Sequence, residues 1–483
     1  MMTDLRTPEP NDDEERGMMG ANPLGATSGA TSEDSDESTA RRVLMIAPHF
    51  PPSRAVAAKR PLHFARHLPA RGWEAAVVCL GSDVLREPAL ERLIPPVPLY
   101  RGYRGGFFAR LEDRRSKAKS ARAGRSVYAA QHQRAHPRRG LISALKETFK
   151  RSFHIFDQYT KHLPWVRGPI ERFMREQRCE VIYATGGPFS ALMLSAWLAR
   201  RSGLPLILDL RDPWSIEPNY RAGRSALGQW ITDRVEARCF HRADKIILNT
   251  ASAHAAYVEA YRDRIPADRF TYIRNSFDPE LYVSSEVAPD PSGPFTIAYF
   301  GNLRPTKNAL LFLEAYRAWL DQRSLSPEES QIMMLGELSA RDVEQLDTLA
   351  LAPYLRSTQP VPFPQAPRVL GEVDLLLDLM GPHHHMQIGG KLYDYLACER
   401  PILSVSPNLE LDALFAKTGA GERVDLEVDA IIGALDRAFE AKRQGVAFIP
   451  NREAVLSLSA AHVTAQLADC LDEVSRSASV TES

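Results

Sequence analysis

The chain has 483 residues, 44% of them hydrophobic and 25% charged, with 60 basic side chains against 60 acidic ones. That is too long for one core and ordinary in composition, so two or three globular domains are expected. No window approaches the roughly 18 uncharged apolar residues of a membrane-spanning helix. The five cysteines (Cys79, Cys179, Cys239, Cys398, Cys470) are scattered and never form a CxxC pair, which argues against a disulfide framework or zinc site and favours a reducing cytoplasm.

Residues 1–40 hold ten Asp/Glu against two Arg among small and polar residues. Such a tail buries too little to offset its ordering entropy and is expected to be disordered. It has no apolar core behind basic residues, so it is not expected to be a secretory signal. An apolar run at 43–47 reads as a buried strand. The loop 48–53, a helix over 61–68 and a second strand at 75–80 complete a first βαβ unit. From 101 to 151 the rhythm breaks, with fifteen Lys/Arg against three Asp/Glu. This stretch is a solvated insertion or a surface for anionic lipid, which attracts each basic residue by about 1 kcal/mol. Nucleic acid is the weaker alternative, since no aromatic stacking motif accompanies the charge.

The strand pattern returns at 180–184, 205–209, 245–249 and 270–273, with a loop at 185–188 and a helix over 189–201. Residues 278–294 are rich in Pro, Ser and Asp and read as a linker, placed at 281–294 between a first domain (41–280) and a second (295–474). The second domain shows strands at 295–300, 331–335, 374–379 and 401–405, and a helix over 309–322. A closing helix spans 460–474, and 475–483 are expected to fray. The fold class is α/β: two doubly wound parallel sheets facing across a cleft, the last helix being a candidate to cross back. Ligands of such sheets bind beyond the C-terminal strand ends.

One such place is the segment 389–397. Gly389 and Gly390 run into a helical pattern, where unpaired backbone N–H groups attract a phosphate. Lys391 adds a positive charge, and Asp394, one turn on, offers a carboxylate that accepts bonds from two neighbouring sugar hydroxyls. The alternative is a surface helix with ordinary charges. His383, His384 and His385 are consecutive and cannot all face one ion in regular structure. They are read as a loop, and no metal site is expected.

Taken together, residues 43–53 continuing through 60–65, 182–190, 209–214, 273–278, 299–303 with 307–308, and 391–397 with 400–402 resemble motifs of the family-4 glycosyltransferases of GT-B fold. The closest likeness is to bacterial members that build surface polysaccharides. The resemblance implies a retaining glycosyltransferase without a structural metal or other cofactor. A nucleoside-diphosphate sugar would sit on the second domain, and a lipid-linked or glycan acceptor on the first.

By that resemblance Gly301, Asn302, Arg304, Lys307, Gln387, Gly389, Gly390, Lys391 and Asp394 bind the donor. Lys307 sits at the diphosphate-lysine position and counts as catalytic. Asp394 and Gln387 stand where the family carries its ribose-binding and sugar-binding glutamates. Ser53, Arg54, Lys59, Arg60, Arg211, Asp212 and Trp214 form the acceptor or phosphate loops. Asp209 either positions or deprotonates the acceptor, with Trp214 stacking on a sugar, or joins an Asp–Arg pair that orders its loop. The implied setting is cytoplasmic, peripheral on the inner face of the membrane through 101–151, with no nucleic-acid partner. A non-catalytic binding module of the same fold is the first alternative, and a sugar-nucleotide epimerase the second.

Overall fold

The computed structural model describes residues 40–53, 55–80, 88–102, 157, 159–282, 288–301, 308–336, 338–358 and 363–481. Apart from Ala40, the expected disordered tail lies outside them, as do residues 103–151 of the basic insertion.

Seven parallel strands form the first sheet: β1 Arg41–Ala47, β2 Trp73–Cys79, β3 Leu99–Arg101, β4 Val181–Gly186, β5 Leu206–Leu210, β6 Lys245–Leu248 and β7 Phe270–Tyr272. Their spatial order is 3-2-1-4-5-6-7. Six more make the second: β8 Phe295–Phe300, β9 Ser330–Leu335, β10 Leu355–Thr358, β11 Leu375–Leu379, β12 Ile402–Val405 and β13 Gly421–Val424. They are ordered 10-9-8-11-12-13, again all parallel. Helices cover both faces of each sheet, which is why the central strands are near-continuous apolar runs. Each strand order reverses once, between β1 and β4 and between β8 and β11. Those two reversals open the crevices in which ligands of such sheets bind.

Two boundaries differ from expectation. Arg101 ends β3 and donates to the Pro51 carbonyl (2.6 Å), so it belongs to the sheet and not to the insertion. The last helix runs from Ala460 to Thr481 without fraying at 475. Its apolar residues Val463, Leu467, Leu471 and Val474 recur at helical spacing and pack on the first sheet's core, with Val43, Leu62 and Ile247. Polar anchors hold the same helix. Asp472 accepts from Arg41 (2.7 Å) and from the Trp73 indole (2.9 Å), and Lys245 pairs with Glu473 (2.7 Å). Residues 460–474 thus continue from the second domain in sequence but pack on the first. The two chain crossings run side by side: Phe277 bridges Ser459, and the Ala460 N–H donates to the Phe277 carbonyl (2.7 Å).

Candidate functional site

The crevice of the second sheet lies beyond β8 and β11. Gly301, directly after β8, has φ +110°, a conformation that L side chains rarely adopt. A Cβ there would also stand 3.0 Å from Lys391 Nζ, so a side chain at this position would push the lysine's mobile end aside. Lys391 lies with its ammonium 3.9 Å from the centroid of the Tyr299 ring, a cation–π contact between the end of β8 and the helix that follows β11. That helix is Gly390–Leu396, with Gly389 at its N-cap. It has only seven residues, so Lys391, more than a helix dipole, carries the positive charge here. A Cβ on Gly389 would meet Asp378 Oδ1 at 3.3 Å, and one on Gly390 would meet Val56 Cγ1 of the first domain at 3.4 Å. The glycines thus let three chain segments converge. Asn302, Arg304, Lys307 and Arg54 lie outside the described residues.

Asp394 is 2% exposed, so its carboxylate is not simply presented to the crevice. Both of its oxygens accept from Lys59 Nζ (2.7 and 2.6 Å), and Tyr282, from the linker, donates its hydroxyl to the same carboxylate. Lys59, expected in the acceptor or phosphate loop, thus reaches across to the second domain's site.

In the first domain the expected acceptor residues are largely turned inward. Asp209, on β5, is fully buried, and its two oxygens accept from Arg60 (2.8 and 2.9 Å) and from the Tyr183 hydroxyl. Burial opposes the Arg60 cation, but Asp209 and Tyr183 outweigh it and hold the guanidinium above its ordinary pKa. This removes Asp209 from the role of general base, because a buried carboxylate spending both oxygens on a bidentate arginine does not accept a substrate proton. An ion pair does order this region, but its cation is Arg60. Arg211 instead donates to the carbonyls of Gly186 (2.9 Å) and Gly187 and ties the loop after β4. Trp214 is fully buried and stacked on Phe189, ring centroids 4.7 Å apart and planes at 5°, so it offers no face to a sugar. Asp212 is half-buried beside Gly187, and the Ser53 hydroxyl accepts from the Ala55 N–H (3.4 Å). His49, after β1, has its pKa pushed down to about 4 by burial and by Arg211, which keeps the ring neutral.

Several residues that bind the domains together were not singled out by sequence. Glu410 pairs with Arg274 and accepts from the backbone N–H groups of Ala251 (3.0 Å) and Ser252 (2.8 Å), capping the first domain's helix Ala251–Tyr261. Burial resists its ionisation, but Arg274 and these hydrogen bonds hold its pKa below the ordinary value. The Thr250 hydroxyl donates to the Met386 carbonyl (2.7 Å), and Gln387 Nε2 donates to Glu217 Oε2 (3.2 Å). Gln387 was expected in the donor site and Arg274 lay within a recognised motif; Glu217, Thr250, Met386 and Glu410 carry no local signal. His383, His384 and His385 lie in the loop before Gly389, His384 Nδ1 sitting 3.1 Å from the Gly381 carbonyl. Among the described residues, His67, Asp278 and Glu280 bring ligand-type atoms within 4.8 Å of one another. Arg66 already bonds both carboxylates there (3.1 Å each), so part of their charge is compensated.

Residues 57–276 match the model of the glycosyl transferase 4-like domain. Among solved structures, the fold is similar to that of HepE from Anabaena, crystallised with UDP (TM-score 0.57, 15% identity, covering 90% of this chain and all of that one). It is similar also to a sucrose-phosphate synthase from Thermosynechococcus elongatus (TM-score 0.58, 13% identity, 90% and 99% covered). A third likeness is to WaaG, a glycosyltransferase involved in lipopolysaccharide biosynthesis (TM-score 0.52, 13% identity, 89% and 99% covered). No curated protein matches in sequence. Among the described residues no helix is long and apolar enough to cross a membrane.

Proposed function

We propose that this chain, whose residues 57–276 match the model of a glycosyl transferase 4-like domain and whose fold is similar to those of HepE and WaaG, is a family-4-like glycosyltransferase that moves a hexose-type sugar, with retention, from a nucleoside diphosphate to a lipid-linked or glycan acceptor in surface-glycoconjugate assembly. The observation that carries this reading is the convergence of Gly301, Tyr299, Lys391 and Asp394 at the crevice of the second sheet. Lys391, with Lys307 as second cation, stabilises the charge that grows on the leaving diphosphate. Asp394 reads the ribose, exchanging its Lys59 and Tyr282 donors for sugar hydroxyls. Gln387 and the paired glycines line the donor's path, and no metal is required. The basic segment 101–151 places the enzyme against an anionic membrane face on the cytoplasmic side; salt-sensitive sedimentation with anionic vesicles, lost on deleting 103–151, tests this.

The burial of Asp209 favours a second reading, a nucleotide-binding module without turnover, because the carboxylate expected to activate the acceptor is spent on Arg60. One experiment separates the two. Nucleoside diphosphates and their sugars are screened by thermal shift, since a ligand that binds only the folded state raises its stability. The best donor is then supplied radiolabelled with lipid and glycan acceptors. Binding with transfer or slow hydrolysis supports the enzyme; binding without either supports the module; no binding across the panel refutes both.

A further inference from the structure

The donor site is built almost wholly from the second domain, but one carboxylate reaches it from the first. Glu217 lies at the N-cap of the short helix Pro218–Ala222 and is 1% exposed. Its side chain does not cap that helix and instead accepts from Gln387 Nε2 at 3.2 Å. Both partners are held firmly. On the first domain, Ser215 gives its N–H (2.7 Å) and its hydroxyl (2.6 Å) to the buried Glu236, and the Trp214 N–H bonds to Tyr257 (2.6 Å). On the second, the residue before Gln387 is pinned by Thr250, and the Gln387 carbonyl accepts from Asn408 Nδ2 (3.2 Å). The Glu217 carboxylate is therefore pre-positioned and not a drifting surface group.

The order of groups along the second domain gives that carboxylate a substrate. On the reading above, Asp394 meets the ribose and Lys391 the diphosphate. In a nucleoside-diphosphate sugar the diphosphate stands between the ribose and the sugar, so on that reading the sugar is left to the loop that leads into the Lys391 helix. Gln387 lies in that loop and brings Glu217 with it. We infer that Glu217 is a donor-sugar-binding residue. Its carboxylate, supplied from the opposite domain, accepts hydrogen bonds from the sugar hydroxyls alongside the Gln387 amide and faces the positive charge the sugar acquires as the diphosphate departs. Gln387 is neutral and both donates and accepts, so it fixes the carboxylate and leaves the negative charge to Glu217. The donor site is thereby complete only when the two domains meet, which ties sugar recognition to domain contact.

This inference rests on the nucleotide-sugar reading, and its test keeps the two apart. Affinities for the nucleoside diphosphate and for its sugar conjugate are measured by calorimetry on the full chain and on Glu217→Gln, with melting temperatures recorded for each. Glu217→Gln is expected to bind the nucleoside diphosphate like the unaltered protein while binding the conjugate about tenfold more weakly, the size of one charged hydrogen bond. Adding Gln387→Glu in that background restores a carboxylate at the same place and is expected to recover most of the loss. Equal affinities of Glu217→Gln and the unaltered protein for the conjugate, or a parallel loss for both ligands, would overturn the inference and leave the donor site standing. Failure of the unaltered protein to bind either ligand would overturn both. Should Glu217→Gln not fold, Glu217→Asp keeps the charge but withdraws it by one methylene, and the same selective loss or its absence decides.

Discussion

Lys59 and Arg60 are neighbours at the start of one helix, and each grips a buried carboxylate, yet they hold different things together. Arg60 spends its guanidinium inside the first domain, on Asp209 and on the carbonyls of Ile273 (3.0 Å) and Arg274 (2.7 Å). Its side chain is 5% exposed and that of Asp209 is not exposed at all. Lys59 reaches out of the domain to Asp394, in a pair whose side chains are 13% and 3% exposed. An arginine fork fits a carboxylate and two carbonyls in one plane, which suits a permanent support under the chain crossing. A lysine ammonium on a flexible stem fits a contact that a ligand's hydroxyls replace. The Arg60 pair is thus a fixed support inside the first domain, and the Lys59 pair is a contact at the second crevice that can be exchanged.

The sharpest way to break this comparison is Arg60→Met. It leaves Asp209 charged and buried with Tyr183 as a partner, and removing one member of such a pair costs about 3–5 kcal/mol. Urea denaturation is expected to show that loss, while nucleoside diphosphate affinity, measured well below the unfolding transition, stays within about twofold. A variant as stable as the unaltered protein would show that Asp209 is not held by charge pairing.

Lys59→Met tests the other half. Asp394 keeps Tyr282, and water reaches it as the cleft relaxes, so the expected loss is smaller, about 2–3 kcal/mol. The decisive readout is linkage. Ribose hydroxyls replace the missing ammonium donors, so a saturating nucleoside diphosphate is expected to raise the melting temperature of Lys59→Met more than that of the unaltered protein. An identical ligand-induced rise in both would place the Lys59–Asp394 pair outside the nucleotide's path.

How much of this was legible in the sequence follows from how local each cause is. β1, β4, β5, β8, β11 and β12 are buried on both faces and declare themselves as apolar runs. The edge strands β3, β10 and β13 have only three or four residues, and β3 and β13 are half-exposed, so nothing in their composition separates them from loops. Gly389, Gly390 and Lys391 were readable because a glycine turn beside a cation is a short-range signal, and Gly301 through the family motif around it. Asp209 was readable as a special residue but not as to its partner, since Arg60 stands 149 positions away and Arg211 only two. Glu217, Tyr282 and Glu410 meet their partners only through domain packing, at separations above one hundred residues. The C-terminal helix showed its period plainly, but a period reports that a face is buried and not against which sheet.

His63, one turn along from Lys59 and Arg60, gives the helix a third and uncharged grip on the same crossing, and here the expected effect is smallest. Its ring is 1% exposed, with Nδ1 3.0 Å from the Ser276 hydroxyl and Nε2 buried without a partner. Burial, opposed by Asp278 and reinforced by Lys59, His67 and Arg66, pushes its pKa down from 6.5 to about 3. A histidine held neutral in the folded state contributes stability that is complete above pH 6.5. That contribution falls as the pH drops toward 3, because the unfolded chain takes up the proton first. Each pH unit in that window costs about 1.4 kcal/mol. Between pH 6.5 and 5.5, where the unfolded ring goes from half to about nine-tenths protonated, the unaltered protein is therefore expected to lose about 1 kcal/mol more stability than His63→Gln, whose amide keeps the bond to Ser276 but takes up no proton. Urea midpoints at the two pH values measure the difference. Equal slopes would mean that the folded ring takes up its proton as readily as the unfolded one, and the grip of this helix on the crossing would then gain a charge in that window.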